Sequence, residues 1–561
     1  MNNVKIKKQF DKWKNALIER DLLDELNSLT DEQIYDAFYC DLKFGTGGLR
    51  GVIGVGTNRM NVYVVSKATQ GLSNYINNFF SKNNRIVAIS RDSRIKSDLF
   101  AKTAAEVFAA NGIKVMMYDE ISPVPMLSYA VRYFRCCMGI MITASHNPAK
   151  YNGYKVYGSD GCQITTENAK SIYAFIEKVD ALNGYKRMPF EEARMKGLIS
   201  SVPLKTIDSY INDVKNQSLQ GNELIDSSVS IVYSPLNGTG LKPITRVLKE
   251  LGYINLIIVK EQEKPDGNFP TCPYPNPEIK EALKIGLEYC KRYNADLMLA
   301  TDPDCDRVGI AVKNQNGEYE LLSGNEVGLL LFEYICSRRI ELKKMPKKPV
   351  MIKTIVTIDI ADKIAKEYGV EIINVLTGFK FIGEQIGFLE KQGRKDDFIF
   401  GFEESYGYLT GSYVRDKDGV NGAMMICEMF SYYKSKGINL LDQLNKIWHK
   451  YGYSLNTLHS YEFDGELGMM KMNGIMDDFR KDIINIPEFV FEKKIDYMKG
   501  IDGLPKSNVI KLIGKNGSIV FRPSGTEPKL KVYLSICAEN NILARLKEKK
   551  IFKIIDEYMN R

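Results

Sequence analysis

The chain has 561 residues, of which 44% are apolar and 26% charged, a balance that excludes a disordered, collagenous or low-complexity protein. At roughly 150 residues per domain, that length predicts about four domains. Lys plus Arg outnumber Asp plus Glu by 77 to 69, a formal charge of +8 spread too thinly for a nucleic-acid binder but suited to a phosphorylated small substrate.

The first twenty residues interleave charged and apolar side chains and predict an amphipathic helix, with no apolar core of a secretory signal. Thr30 with Gln33 predicts a capping box on a short helix that leads into FGTGGLRG at 44–51. Short β-branched runs then alternate with amphipathic stretches, which predicts βαβ units. The order occurs three times: RIVAIS, KVMMYD and MGIMITASHNP; SIVYS, INLIIV and ADLMLATDPDCDR; PVMIKTIV, VEIINVLTG and DFIFGFEESYG. In each unit the third strand runs into a polar loop, and ligands of open α/β sheets gather beyond the carboxyl ends of strands.

A Met-rich helical stretch near 465–485 and the strand-like IVFRPSGTEPKLKVYLSI close the chain. The fold class is therefore α/β, with three topologically similar domains over 1–205, 206–330 and 331–455 and a smaller α+β domain over 456–561. The ten cysteines contain no CxxC pair and no apolar run nears the roughly 20 residues of a membrane span, so a reduced cytoplasmic protein without a membrane partner is expected.

Each loop offers a chemistry. TASHNP sets Ser145 directly after an apolar strand, where a serine is a nucleophile if a base reaches it and otherwise a turn former. A Ser-His-acid hydrolase fits poorly, because His146 is adjacent and the other histidines, His449 and His459, lack a carboxylate motif. DPDCDR places Asp302, Asp304 and Asp306 at every second position, so that in an extended loop their carboxylates converge on a hard divalent ion such as Mg2+. Without a cation the three would repel one another.

GFEESYG supplies Glu403 and Ser405, groups suited to sugar hydroxyls or equally to an exposed helix start. RPSGTEPK supplies Arg522, Ser524, Gly525, Thr526 and Lys529, a loop able to hold a phosphate dianion or simply to turn. No GxxxxGK[ST] or GxGxxG occurs, so neither ATP nor NAD is implied. Together the four loops fit phosphoryl transfer on a sugar phosphate. A rival takes DCDRV as the motif of an aspartyl-phosphate phosphotransferase with Asp304 as nucleophile.

In this order the motifs resemble the α-D-phosphohexomutase superfamily, from TGGLRG at 46–51 through RPSGTEPKLKVY at 522–533. The chain is most similar to the phosphoglucomutase and phosphopentomutase branch, because FEESYG with Lys417 in KDG replaces a GExSGH form; Gly407 stands at that motif's His. Ser90 before RDSR, Cys305 between two aspartates and Phe402 before Glu403 depart from the usual small residues.

The resemblance implies four domains around a central active-site cleft, and an isomerase that interconverts glucose 1-phosphate and glucose 6-phosphate. Pentose or mannose phosphates are the alternative substrates, and a non-catalytic phosphosugar-binding protein is the alternative of another class. Ser145 would carry the phosphoryl group through a glucose 1,6-bisphosphate intermediate, with Mg2+ held by Ser145, Asp302, Asp304 and Asp306. Arg307 and Arg50 would lie near the transferred group, and His146, Lys155 and Lys417 would be the proton carriers. Thr377, Gly378, Phe379, Lys380, Glu403 and Ser405 would orient the sugar. Arg522, Ser524, Gly525, Thr526 and Lys529 would anchor the other phosphate. The expected partners are sugar phosphates, with no nucleic acid, and the expected state is a monomer or homodimer.

Overall fold

The computed structural model describes residues 2–560 except 46, 222–225, 227, 464, 482–485, 487–488, 502 and 525–528. The chain divides into two compact units, one of residues 1–322, 379–396 and 406–432, the other of 323–378, 397–405 and 433–561.

The first unit opens with helices Asn2–Ala16, Arg20–Ser28 and Asp31–Phe38. The expected capping box is present: Thr30 N donates to Gln33 Oε1 at 2.9 Å and Gln33 N to Thr30 Oγ1 at 3.3 Å. Trp13 packs edge-on against Phe38 and, at 5.5 Å, against Tyr63, which ties these helices to the first core.

Behind them lies a six-stranded sheet. Strand Ile86–Arg91 is flanked in parallel by Lys114–Met117 on one side and Met138–Ile142 on the other. Antiparallel strands Tyr151–Gly158 and Gly48–Val52 extend it beyond Met138–Ile142. The five residues of Met138–Ile142 are all apolar or glycine and all buried, as a strand covered on both faces requires.

The same arrangement recurs in the five-stranded sheet of this unit. Ile231–Ser234 sits between Leu256–Ile258 and Leu297–Thr301, all parallel, and Val308–Lys313 and Tyr319–Leu322 continue antiparallel beyond Leu297–Thr301. In the second unit, Val350–Thr354 pairs in parallel with Glu371–Val375 on one side and Phe398–Glu403 on the other. Each unit of the sequence repeat therefore places its third strand beside its first.

The second unit also holds an antiparallel sheet of five strands, including Gly517–Pro523 and Lys529–Ala538, which packs against helices Gly465–Lys481 and Asn541–Asn560. The fold is thus three α/β domains and a C-terminal antiparallel one. All ten cysteines are free thiols, and among the described residues no helix is long and apolar enough to cross a membrane.

Candidate active site

Strand Met138–Ile142 delivers the chain to Thr143, Ala144 and Ser145. Ser145 has φ of +52°, a left-handed conformation that disfavours a non-glycine residue by about 1–2 kcal/mol. The neighbouring groups hold it there. Ser145 N donates to Thr143 Oγ1 at 2.8 Å. The buried Arg94 guanidinium donates to the carbonyls of Ser145 and Asn147, to Pro148 O at 2.9 Å and to Tyr151 O at 3.0 Å. Arg94 Nε in turn lies 3.3 Å from Asp92 Oδ2, which accepts Thr143 Oγ1 at 2.6 Å.

Sequence reasoning gave RDSR no role. The available signal was an Asp-x-Arg pair directly after the apolar run IVAIS, where an unpaired charge would be costly.

At the end of Leu297–Thr301 the chain turns through the aspartates. Asp302 Oδ1 accepts the backbone amides of Asp306 and Arg307 at 3.1 and 3.0 Å, which curls the loop back on itself. Cys305, at φ +52°, closes the curl by donating its amide to Asp302 O at 2.9 Å. The three carboxylates are buried and offer ligand atoms within 4.8 Å of one another. Ser145 Oγ donates to Asp302 Oδ2 at 2.9 Å.

Burial, and then repulsion from the neighbouring carboxylates, lifts Asp302 above the ordinary carboxylate range; Asp306 is also raised, by burial against the pull of Lys417. Asp304 is also buried, yet Lys155, with Nζ 2.8 Å from Asp304 Oδ2, holds it below that range. Asp304 Oδ1 and Asp306 Oδ1 are buried and accept no hydrogen bond. An all-oxygen set with two orphaned carboxylate oxygens fits a hard divalent cation.

Two lysines flank these carboxylates, and a histidine lies beside the serine. The antiparallel strand Tyr151–Gly158 carries Lys155 opposite Met141, one strand from the serine loop, and Lys155 Nζ also lies 3.8 Å from Asp306 Oδ2. Burial alone would lower the Lys155 pKa, but Asp304 and Asp306 outweigh it and keep the ammonium above its usual value. Lys417 Nζ lies 3.1 Å from Asp306 Oδ2 and 5.7 Å from the Phe379 ring centre. His146 Nδ1 lies 3.3 Å from Ser145 Oγ; burial, then the charge on Arg307, holds its pKa well below the ordinary histidine value, so the imidazole is neutral.

Arg307 bonds to Glu278, and Arg50 Nη1 donates to Asn147 Oδ1 at 2.9 Å. The first unit thus gathers Ser145, His146, Lys155, the three aspartates, Arg307, Arg50 and Lys417, with Phe379 against Lys417. Lys380 follows Phe379 in helix Phe379–Lys391, its carbonyl accepting the Cys162 thiol at 3.1 Å.

The second unit holds the other expected residues. Gly378, at φ +120°, donates its amide to Glu403 Oε1 at 2.8 Å, so that Thr377 and Gly378 lie beside Glu403; Ser405 is partly exposed. Arg522 Nη1 donates to Tyr533 OH at 3.4 Å, Ser524 N to Lys529 O at 2.7 Å, and Lys529 Nζ pairs with Glu462 at 3.0 Å. Gly525 and Thr526 lie outside the described residues.

Models of the four phosphoglucomutase/phosphomannomutase domains match this chain in order: α/β/α domain I at 41–183, domain II at 208–317, domain III at 323–451 and the C-terminal domain at 471–550. A phosphoglucomutase of Staphylococcus epidermidis is 34% identical over 96% of the chain and 99% of its own length. One of Staphylococcus aureus is 36% identical over 91% of the chain and 92% of its own. Among solved structures, the open form of parafusin, a phosphoglucomutase of Paramecium, aligns with a TM-score of 0.70 at 18% identity, covering 93% of this chain and 96% of its own. A phosphoglucomutase/phosphomannomutase family protein of Burkholderia thailandensis aligns at 0.67 and 18%, covering 92% and 97%. These last two speak for the fold, and the domain models and the sequence relatives speak for descent: the chain belongs to the phosphoglucomutase/phosphomannomutase family of the α-D-phosphohexomutase superfamily, on its phosphoglucomutase branch.

Proposed function

We propose that the chain is a cytoplasmic mutase that interconverts glucose 1-phosphate and glucose 6-phosphate through a phosphorylated Ser145 and glucose 1,6-bisphosphate. The observation that carries this reading is Ser145 Oγ at 2.9 Å from Asp302 Oδ2, in contact with the buried carboxylate group. The relatives named phosphoglucomutase support the sugar.

In the first half-reaction a free sugar hydroxyl attacks the phosphorus on Ser145. Its O–P bond forms as the Oγ–P bond breaks, the hydroxyl proton leaves to a base, and Oγ regains a proton. After the bisphosphate turns around, its other phosphoryl group passes to Oγ and the product leaves. Mg2+, held by Asp302, Asp304, Asp306 and the Ser145 oxygen, would supply positive charge against that developing on the transferred group. His146 Nδ1, 3.3 Å from Oγ, is within reach of a proton on that oxygen. Lys155 and Lys417, cations beside Asp304 and Asp306, are suited to donate protons or to balance charge.

Arg307 and Arg50 would steady the phosphoryl oxygens. Thr377, Gly378, Phe379, Lys380, Glu403 and Ser405 would grip the sugar, and Arg522, Ser524, Gly525, Thr526 and Lys529 the other phosphate. One loop would come from each of four domains, 1–205, 206–330, 331–455 and 456–561.

The test compares kcat/KM on the 1-phosphates of glucose, mannose, ribose and deoxyribose, with glucose 1,6-bisphosphate and Mg2+ supplied. Glucose 1-phosphate is expected to lead; a pentose phosphate in first place would move the assignment to that sugar. Removal of metal gives a second prediction. A chelator should abolish turnover and Mg2+ should restore it. Mg2+ should also raise the denaturation midpoint of the chelated protein, because a ligand at ~100 times its Kd stabilises the folded state by about 2.7 kcal/mol. Full activity in chelator, or a midpoint indifferent to Mg2+, would contradict the metal site.

A further inference from the structure

The segment Arg-Asp-Lys-Asp-Gly at 415–419 completes the connection from the short strand Gly407–Leu409 into helix Gly419–Ser435, and it is pinned on both sides of Lys417. Before the lysine, the buried Asp416 accepts the Tyr157 hydroxyl and the Lys417 amide, each at 2.8 Å. After it, the buried Asp418 accepts the hydroxyls of Tyr210 at 2.9 Å and Tyr413 at 2.7 Å. Asp418 also caps the helix by accepting Val420 N and Asn421 N at 2.9 and 3.0 Å. Its own amide donates to Tyr408 O at 3.0 Å, and Gly419 N donates to Cys305 O in the aspartate loop at 3.0 Å. With the backbone held this firmly, the lysine stem departs from a fixed point.

That stem crosses Gly407. A Cβ built on Gly407 would lie 2.0 Å from Lys417 Cδ, 2.7 Å from Cγ and 3.4 Å from Cε, and these are its three nearest neighbours. Beyond the crossing, the ammonium reaches Asp306 Oδ2. Gly407 is absent from the positive-φ positions, so its backbone would accept alanine without strain. What an added methyl group meets is the lysine.

We propose that Gly407 is a positioning residue for Lys417: the missing side chain at 407 leaves the passage through which the lysine stem brings its ammonium to Asp306. This rests on the mutase reading and adds to it a residue that touches neither substrate nor metal. It also makes a side chain at 407 and the observed path of Lys417 mutually exclusive, so the two positions act as a pair.

A double-mutant cycle on the full-length enzyme tests the pairing. Gly407→Ala is expected to lower kcat by about 10²-fold, the lower end of what a positioned proton carrier contributes. Lys417→Ala should lower kcat at least as far, and adding Gly407→Ala to it should lower kcat no further, because the stem is already gone. Wild-type kcat in Gly407→Ala, or losses that multiply in the double variant, would overturn the proposal. The denaturation midpoints should follow the same cycle: each single variant loses the contact of Lys417 with Asp306, so adding Gly407→Ala to Lys417→Ala should lower the midpoint no further, and a further drop would likewise overturn the pairing. An inactive wild-type enzyme would defeat the mutase reading itself.

Discussion

Replacing Ser145 with alanine is expected to reduce turnover of glucose 1-phosphate by about 10⁴-fold or more, because no neighbouring group can take over as the covalent carrier. His146 is neutral and near, but Oγ donates to the Asp302 carboxylate at 2.9 Å and meets the imidazole only at the longer distance of 3.3 Å. Asp304 is engaged already, its Oδ2 bonded to Lys155 at 2.8 Å and 3.2 Å from the Thr143 hydroxyl. The fold should survive, since the loop is held by Arg94 and Thr143 through backbone atoms that alanine keeps. The alanine variant should therefore match wild type in denaturation midpoint without metal, and Mg2+ should stabilise it less than wild type, because three aspartates remain of the four groups assigned to the ion. Peptide mass mapping should find the phosphoryl increment on the Ser145 peptide of wild type alone. Near-normal kcat in the variant would refute the carrier role, and a hydroxylamine-labile phosphate on Asp304 would transfer it to the aspartate.

What the sequence revealed, and what it hid, divides by distance along the chain. The parallel strands were legible because runs such as MGIMI and LMLA are apolar throughout, and their carboxyl-end loops announced themselves by composition. The antiparallel extensions were not. Tyr151–Gly158 alternates small, polar and aromatic residues, and nothing local marks Lys155 as the partner of Asp304, 149 residues away. The supports of the site were hidden for the same reason: Tyr210 reaches Asp418 across 208 residues, and Arg94 reaches the serine loop across 51.

Departures that looked anomalous in the sequence have packing causes. Phe402 is buried and stacks on Phe400 at 5.4 Å, and Gly328 makes room for its ring, since a Cβ there would come within 2.2 Å of it. Cys305 sustains a left-handed φ between two aspartates while its carbonyl ties the aspartate loop to Gly419. These are pairings between distant segments, and one-dimensional periodicity carries no trace of them.

Arg94 should separate positioning from stability more sharply than any other residue of the first unit. Arg94→Met removes a buried cation and leaves Asp92 buried without it, a loss expected to destabilise the protein by about 3–5 kcal/mol and to show as a lower urea midpoint. Arg94→Lys keeps a charge opposite Asp92 and should retain most of that stability. A lysine, however, is a point charge without the planar fork that reaches four carbonyls at once. Released from that clamp, Ser145 can relax from its left-handed conformation and carry Oγ away from Asp302. A displacement near 1 Å is enough to lower kcat by about 10²-fold. Arg94→Lys is therefore expected to fold with a near-normal midpoint and an unchanged KM, yet to turn over slowly and to incorporate the phosphoryl group on Ser145 slowly when given glucose 1,6-bisphosphate. Full kcat in Arg94→Lys would show that the serine loop holds its shape without the guanidinium, and the role assigned to Arg94 would then reduce to charge balance for Asp92.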